Sequence, residues 1–301
     1  MDTTVTYLPV TSPSTIAAIR AMPLAPNDVF IASYPKSGTT WTQAIVAALL
    51  LQQGDSSGAS ALPYSHISDV APFLDIDPHW DTSHFVGTSR TKEAHAAIGR
   101  RVFNTHMLYD TLPKGRSDAR YIYVVRDGRD VCTSFYHHLS NQKGDAGTYD
   151  AGFDAFFDDW IDGRLPYGKW FSHLTNWADG AQSDERVLVV HYSEMLEDLA
   201  SAVARIATHI GVPTLPTNCV DALTFAGMRE KARLYQPVSV EWKEGYSFLR
   251  KGEVGDHARF FQAHQLERFK QACVTEWVVG APACYEASIP KHLFGLVIVN
   301  V

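Results

Sequence analysis

The stretch DVFIASYPKSGTTW, Asp28 to Trp41, decides the fold. Its first six residues are apolar and β-branched enough for a buried strand, and TQAIVAALLLQQ after Trp41 reads as a helix. A strand, a tight loop and a helix together make a shape that holds a phosphate. The loop lacks the G-x-x-x-x-G-K-[ST] order of a nucleoside triphosphatase, because Lys36 precedes Gly38. The first N–H groups of a helix have no intrahelical acceptors and carry about half a positive charge between them. Ser37, Gly38, Thr39 and Thr40 direct several such groups at one anion, and Gly38 leaves out the Cβ that would keep it away. The Thr39 and Thr40 hydroxyls add donors, and Lys36 is expected as a mobile charge at the edge. The competing reading is a turn with an exposed lysine and a helix cap.

The same layout recurs downstream. RYIYVVR (120–126) reads as a buried strand, Gly128 as a turn and GRDVCTSFYHHLS (128–140) as a helix. Arg126 stands at the carboxyl end of its strand, where open α/β sheets meet their ligands, and Ser134 lies two turns on. A guanidinium and a hydroxyl suit a second phosphate; a weak surface pair, Arg126–Asp127 or Arg129–Asp130, is the alternative. RKGEVGD (250–256) supplies Arg250, Lys251 and Gly252, again suited to a phosphate or else to a solvated turn. Further strands are expected at 101–105 and 186–192. Helices are expected at 14–21, 39–53, 153–162, 168–180, 196–211, 216–230 and 263–279. Residues 54–61 read as a mobile small-residue loop and 231–256 as a long functional loop. Strands alternating with helices predict an α/β protein, one domain over 1–301, with a central parallel sheet flanked by helices and a P-loop-like anion loop.

Composition narrows the partners. The net charge of −7 over 301 residues argues against a nucleic-acid surface, so positive charge must be local. The N-terminus shows no signal peptide, and the apolar runs AIVAALLL and LFGLVIVNV are too short to cross a bilayer, so no membrane partner is expected. Four scattered cysteines, Cys132, Cys219, Cys273 and Cys284, form no C-x-x-C pair and suit a reducing cytoplasm without a zinc site.

Together these pieces resemble the cytosolic sulfotransferases. YPKSGTTW matches that family's loop letter for letter, VVRDGRDVCTSFYHH is similar to its 3′-phosphate segment, and LRKGEVGDH to its RKG…GDW loop. APFLD (71–75), VVHYSEMLED and LTFAGMRE resemble its VPFLE, YEDMKED and TSFKEMK segments, so the likeness runs from about residue 28 to 267. The resemblance implies 3′-phosphoadenosine 5′-phosphosulfate (PAPS) as sulfuryl donor, a small-molecule hydroxyl or amine as acceptor, and no metal. It implies that Lys36, Ser37, Gly38, Thr39 and Thr40 hold the 5′ side and that Trp41 and Phe225 sandwich the adenine. Tyr192 would bond the adenine edge, and Arg126, Ser134, Arg250, Lys251 and Gly252 the 3′-phosphate. His106, in FNTHML, matches the catalytic histidine of KTHLP. An imidazole titrates near neutrality and can take the acceptor's proton, while Lys36 meets charge on the leaving oxygen.

Departures from the family pattern set further expectations. Asn104 replaces the lysine of KTH, and His257 and Ala258 replace the WK after GD. Only Glu267 remains of the family's dimer motif, so a dimer through that segment is not expected. Phe73, Tyr136, His137, His138, Tyr246 and Phe248 are candidates for the acceptor pocket, with Leu74, Ile76, Trp80, Phe135 and Trp242 as further wall residues. His138 would make that pocket more polar. His66, His84, His95, His173, His209 and His292 read as ordinary satisfied histidines. The rival functions are a P-loop kinase using ATP and a non-catalytic adenine-nucleotide binder.

Overall fold

Four parallel strands run through the middle of the computed structural model, which describes residues 5–52, 64–115, 117–144 and 148–277. They are β1 (Val29–Ser33), β2 (Val102–Thr105), β3 (Arg120–Val125) and β4 (Val187–His191), in the order β2-β1-β3-β4. Their sequences explain the layering, because successive side chains point to opposite faces. Phe30, Phe103 and Tyr121 lie in register and stack at 5.1 Å centroid separation, and they join one core with Ala32, Tyr123 and Val125. Val29, Ile31, Val102, Ile122 and Val124 enter the other core. Both faces are apolar because helices cover both.

Helices α1 (Thr39–Leu51) and α6 (Leu199–His209) pack on the second face. Helices α2 (Gly128–Ser140), α3 (Phe153–Ile161), α4 (Trp170–Ser183) and α7 (Ala263–Glu276) pack on the first. α5 (Tyr192–Glu197) leaves β4 directly. Since all four strands point one way, Tyr34–Gly38, His106, Arg126 and Tyr192 all emerge at the same edge of the sheet. That shared edge builds the site.

Several expected boundaries move. The helix expected at 196–211 is two: Asp198 accepts from Ser201 N at 3.0 Å and starts α6 anew after α5. Residues 216–230 likewise divide into Thr217–Asp221 and Phe225–Glu230, where the Thr224 hydroxyl accepts from Gly227 N. Hydrophobic period cannot see a cap of this kind, which is a local side-chain contact. The strand expected to end at Tyr192 ends at His191, and Tyr192 opens α5.

Within 231–256 the short strand Glu241–Trp242 pairs antiparallel with Gln142–Lys143. The helices Ile67–Val70 and Thr91–Ile98 and the hairpin Trp80–Asp81/His84–Phe85 were not expected. The 54–61 loop, Cys284, His292 and the C-terminal apolar run lie outside the described residues.

Candidate active site

The loop between β1 and α1 is shaped by two residues with positive φ, Lys36 (+68°) and Gly38 (+115°). A Cβ on Gly38 would come within 2.8 Å of the Tyr192 ring, so both the backbone angle and the close approach require glycine. Gly38 caps α1 without a side-chain bond, so the Gly38 side gives the first-turn N–H groups no acceptor. Ser33 and Thr39 share a hydroxyl–hydroxyl hydrogen bond of 2.6 Å that ties the strand end to the helix start. The buried Ser37 hydroxyl has no hydrogen-bond partner among the described residues.

Lys36 differs from the mobile charge expected at the edge. Its Nζ lies 4.0 Å from the Phe248 ring centroid and 3.4 Å from His138 Nδ1. Although half-buried by area, the ammonium is ringed by neighbours. Burial, then the charges of Arg126 and Arg250, push its pKa down to about 7. Like charges so close disfavour the charged form of the buried ammonium.

The second corner is Arg126, at the end of β3. Its Nη1 and Nη2 donate to the carbonyls of Lys36 (3.2 Å) and Glu253 (3.1 Å), while its buried Nε has no partner among the described residues. The guanidinium carbon sits 4.3 Å from the Tyr192 ring centroid. The alternative surface pairs, Arg126–Asp127 and Arg129–Asp130, are not formed among the described residues; Asp127 pairs with Arg129 at 2.6 Å and caps α2. Ser134 lies two turns along α2, half-buried.

The 250–257 segment is held down at two points. Asp130 accepts from Gly255 N (2.8 Å), His257 N (3.0 Å) and His257 Nδ1 (2.8 Å). Burial alone would raise that carboxyl, but the His257 bond and the Arg126 charge hold it at about 2. Buried Asp256 pairs with Arg250 and Lys251, the two cations expected to bind the 3′-phosphate.

The adenine candidates are also placed. Trp41 Nε1 donates to Leu223 O at 2.7 Å, and its ring meets Tyr192 edge-on at 5.6 Å. Phe225 lies against Gly252, where a Cβ would overlap its ring and φ is +66°.

His106 follows β2, and its Nδ1 lies 2.8 Å from Ser33 O. A carbonyl can only accept, so Nδ1 carries the proton and Nε2 presents a lone pair. The ring meets Phe73 and Tyr167 edge-on, each at 5.3 Å. Burial lowers its pKa to about 4; the Ser33 bond opposes this, and Lys36 adds to it. The imidazole is therefore neutral at pH 7, with the Nε2 lone pair unprotonated.

The pocket candidates divide. His138, Phe248, Trp242 and Tyr246 form one aromatic group around Lys36: His138 lies 5.1 Å from Trp242 and 5.9 Å from Phe248, and Tyr246 stacks on Trp242 at 4.7 Å. Phe73 stands beside His106. Tyr136 instead packs on Phe153 and Phe156 of α3, and His137 on Phe260, its buried Nε2 without a partner among the described residues. Leu74 and Phe135 are core residues, because α2 and the chain before His79 turn those positions inward. Asn104 Oδ1 is buried without a partner among the described residues, a loose end where the family's lysine was expected.

The sequence alone assigns Asp75 no role of its own and Asp130 only a surface pair with Arg129, and it marks His173 as an ordinary satisfied histidine, which its two hydrogen bonds bear out. Asp75 is fully buried and accepts from Thr105 Oγ1 (2.5 Å) and His106 N (2.7 Å). A single carboxylate inside the apolar run VAPFLDI was the available signal. No comparable signal marks His173, whose partner is a backbone carbonyl 67 residues away.

Residues 26–280 match the family model described as sulfotransferase domain. The chain is 30% identical over 284 residues to sulfotransferase 2B1 of Homo sapiens, covering 88% of this chain and 72% of that one. It is 27% identical over 258 residues to flavonol 3-sulfotransferase of Flaveria bidentis, covering 81% and 79%. In fold it resembles mouse sulfotransferase SULT7A1 complexed with PAP, with a TM-score of 0.69, 21% identity, and 91% and 93% of the two chains covered.

Proposed function

The chain belongs to the sulfotransferase family, and on that premise we propose that it moves a sulfuryl group from PAPS to a hydroxyl or amine of a small-molecule acceptor, with His106 as general base. The observation that carries the base assignment is the bond from His106 Nδ1 to Ser33 O, which leaves Nε2 unprotonated at the sheet edge where the anion loop opens.

The residues present fit the donor. The Ser37 hydroxyl and Arg126 Nε are buried donors without partners among the described residues, and no side chain caps the α1 N-terminus. Ser37, Thr39, Thr40 and the first N–H groups of α1 would hold the 5′ phosphosulfate. Arg126, Ser134, Arg250, Lys251 and Gly252 would hold the 3′-phosphate, and Trp41, Phe225 and Tyr192 the adenine. PAPS supplies the sulfuryl group.

His106 Nε2 takes the proton as the acceptor oxygen or nitrogen bonds to sulfur. The bond from sulfur to the bridging phosphate oxygen breaks with its electron pair on that oxygen. Lys36 and the α1 N-terminus stabilise the charge left there. Lys36 must leave Phe248 and His138 to do so, and the anion it meets raises its pKa again. Phe73, His138, Tyr246 and Phe248 are proposed to line the acceptor site. An aromatic acceptor, like the flavonol named for the Flaveria bidentis relative, suits those rings.

The test is turnover of PAPS with a mixed panel of phenols, steroids, alkyl alcohols and amines, alongside ATP and donor lacking the 3′-phosphate. PAPS alone should support transfer. His106→Ala should lower kcat about 10²–10⁴-fold with the affinity for adenosine 3′,5′-bisphosphate unchanged. Turnover undiminished in His106→Ala would remove the base assignment. Bisphosphate binding without turnover of any acceptor would favour a binding protein, a reading to which the uncharged Asn104 lends weight.

A further inference from the structure

His106 is gripped at three points. Its side-chain Nδ1 bonds to Ser33 O, its backbone N–H donates to Asp75 Oδ2 at 2.7 Å, and its carbonyl accepts from His173 Nε2 at 2.9 Å. We propose that Asp75 and His173 are positioning residues for the His106 imidazole, and that Tyr123 fixes the His173 ring in the orientation this needs. The proposal rests on the reading of His106 as the base.

Asp75 is an unusual group to bury. A carboxylate with no cation beside it is costly in an interior, and this one accepts from Thr105 Oγ1 and His106 N. Thr105 Oγ1 also accepts from Met107 N at 3.0 Å, so the carboxylate and this hydroxyl engage three successive residues, Thr105 to Met107. Asp75 is itself held by its own backbone, whose carbonyl accepts from Thr11 Oγ1 at 2.5 Å.

His173 acts from the other side. Its Nε2 meets a carbonyl and must donate, so Nδ1 must accept, and the Tyr123 hydroxyl 3.0 Å away supplies that hydrogen. Tyr123 lies on β3 and His173 on α4, both within the same core. The His173 ring is further wedged edge-on against Tyr34 at 5.5 Å. Thus the sheet, through Tyr123, fixes one tautomer of His173, and His173 fixes the carbonyl of the base. General-base catalysis is sensitive to such placement, since a displacement of about 1 Å can cost about 100-fold in rate.

The test uses the full chain and three readouts: kcat with an acceptor found in the panel, calorimetric Kd for adenosine 3′,5′-bisphosphate, and ¹⁵N shifts of the His106 ring. His173→Phe keeps the ring volume and removes the donor, whereas His173→Gln retains an N–H near Nε2. In wild type the ring shifts should place the proton on Nδ1. His173→Phe should lower kcat about tenfold, leave Kd within about twofold, and move the His106 shifts toward a tautomer mixture. His173→Gln should restore most of kcat and the wild-type shifts.

A folded His173→Phe protein with wild-type kcat, or with unmoved His106 shifts, overturns the proposal. So does a loss of kcat and bisphosphate affinity together in both variants, which marks a merely structural role. Should His173→Phe not fold, Tyr123→Phe decides the matter. It should lower kcat about threefold and shift the same ring signals, and unmoved signals overturn the proposal. His106→Ala separates the two layers. If it retains turnover, the base reading itself has failed. If it abolishes turnover while His173→Phe and Asp75→Asn behave as wild type, the base stands and its positioning falls.

Discussion

Lys36 carries an electrostatic consequence that its place in the loop motif alone does not show. In the free protein its pKa is pushed down to about 7 by burial and by Arg126 and Arg250. An anion in the same site reverses that push. Binding of adenosine 3′,5′-bisphosphate at pH 8 should therefore take up close to one proton, and affinity should fall as pH rises above 7. Calorimetry in buffers of different ionisation enthalpy measures the uptake, and Lys36→Met should abolish it. Binding without proton exchange in the wild type would contradict the assignment. The identity of this lysine was legible from YPKSGTTW. Its stacking on Phe248, more than 200 residues later, was not.

Among the elements, the β1–α1 turn is the most constrained. Gly38 combines a φ of +115° with a Cβ position 2.8 Å from the Tyr192 ring. Gly38→Ala should destabilise the protein by about 1–3 kcal/mol and weaken bisphosphate binding by at least about tenfold, because Tyr192 or the loop must move. Denaturant melts and calorimetry would show this, and a variant equal to wild type in both would refute it.

The four strands were legible because each is an apolar run bounded by turn residues. The split of 196–211 at Asp198 was not, since a cap depends on one hydrogen bond rather than on period. The short strands Gln142–Lys143 and Glu241–Trp242 were also invisible. Two residues are too few to show a pattern, and each is a strand only because the other lies beside it.

For the whole molecule, the buried imidazoles set the acid limit of stability. Burial lowers His106 and His137 to about 4 and His173 to about 3, and pushes His138 well below the ordinary value. Between about pH 6.5 and 4 the unfolded chain gains protons on these groups that the folded chain refuses. Stability from them is full above pH 6.5 and declines on acidification. Asp75 acts in the opposite sense. Its carboxyl is raised by burial to about 7, so its contribution is lost as pH rises toward 7, but the lowered imidazoles, His79, His95, His191 and His209 among them, outnumber it. The thermal midpoint should therefore drop steadily from pH 7 to pH 5, as scanning calorimetry would record; an unchanged midpoint at pH 5 would count against neutral buried imidazoles.

By itself the sequence determined the parallel α/β layering, the glycine-bearing turn after β1, the arginine after β3 and the histidine after β2. Each of these is local: an apolar period, a glycine where no Cβ fits, a charged residue where a strand ends. Only the tertiary structure decided what those groups touch. It turned Lys36 inward onto Phe248 and His138, tied Asp130 to His257, placed Asp256 between Arg250 and Lys251, and brought Asp75 and His173 to either side of the His106 backbone. The physical reason is that hydrogen bonds and charge pairs act over a few ångströms in space, and the separation of two residues along the chain says nothing about that distance until the sheet has formed.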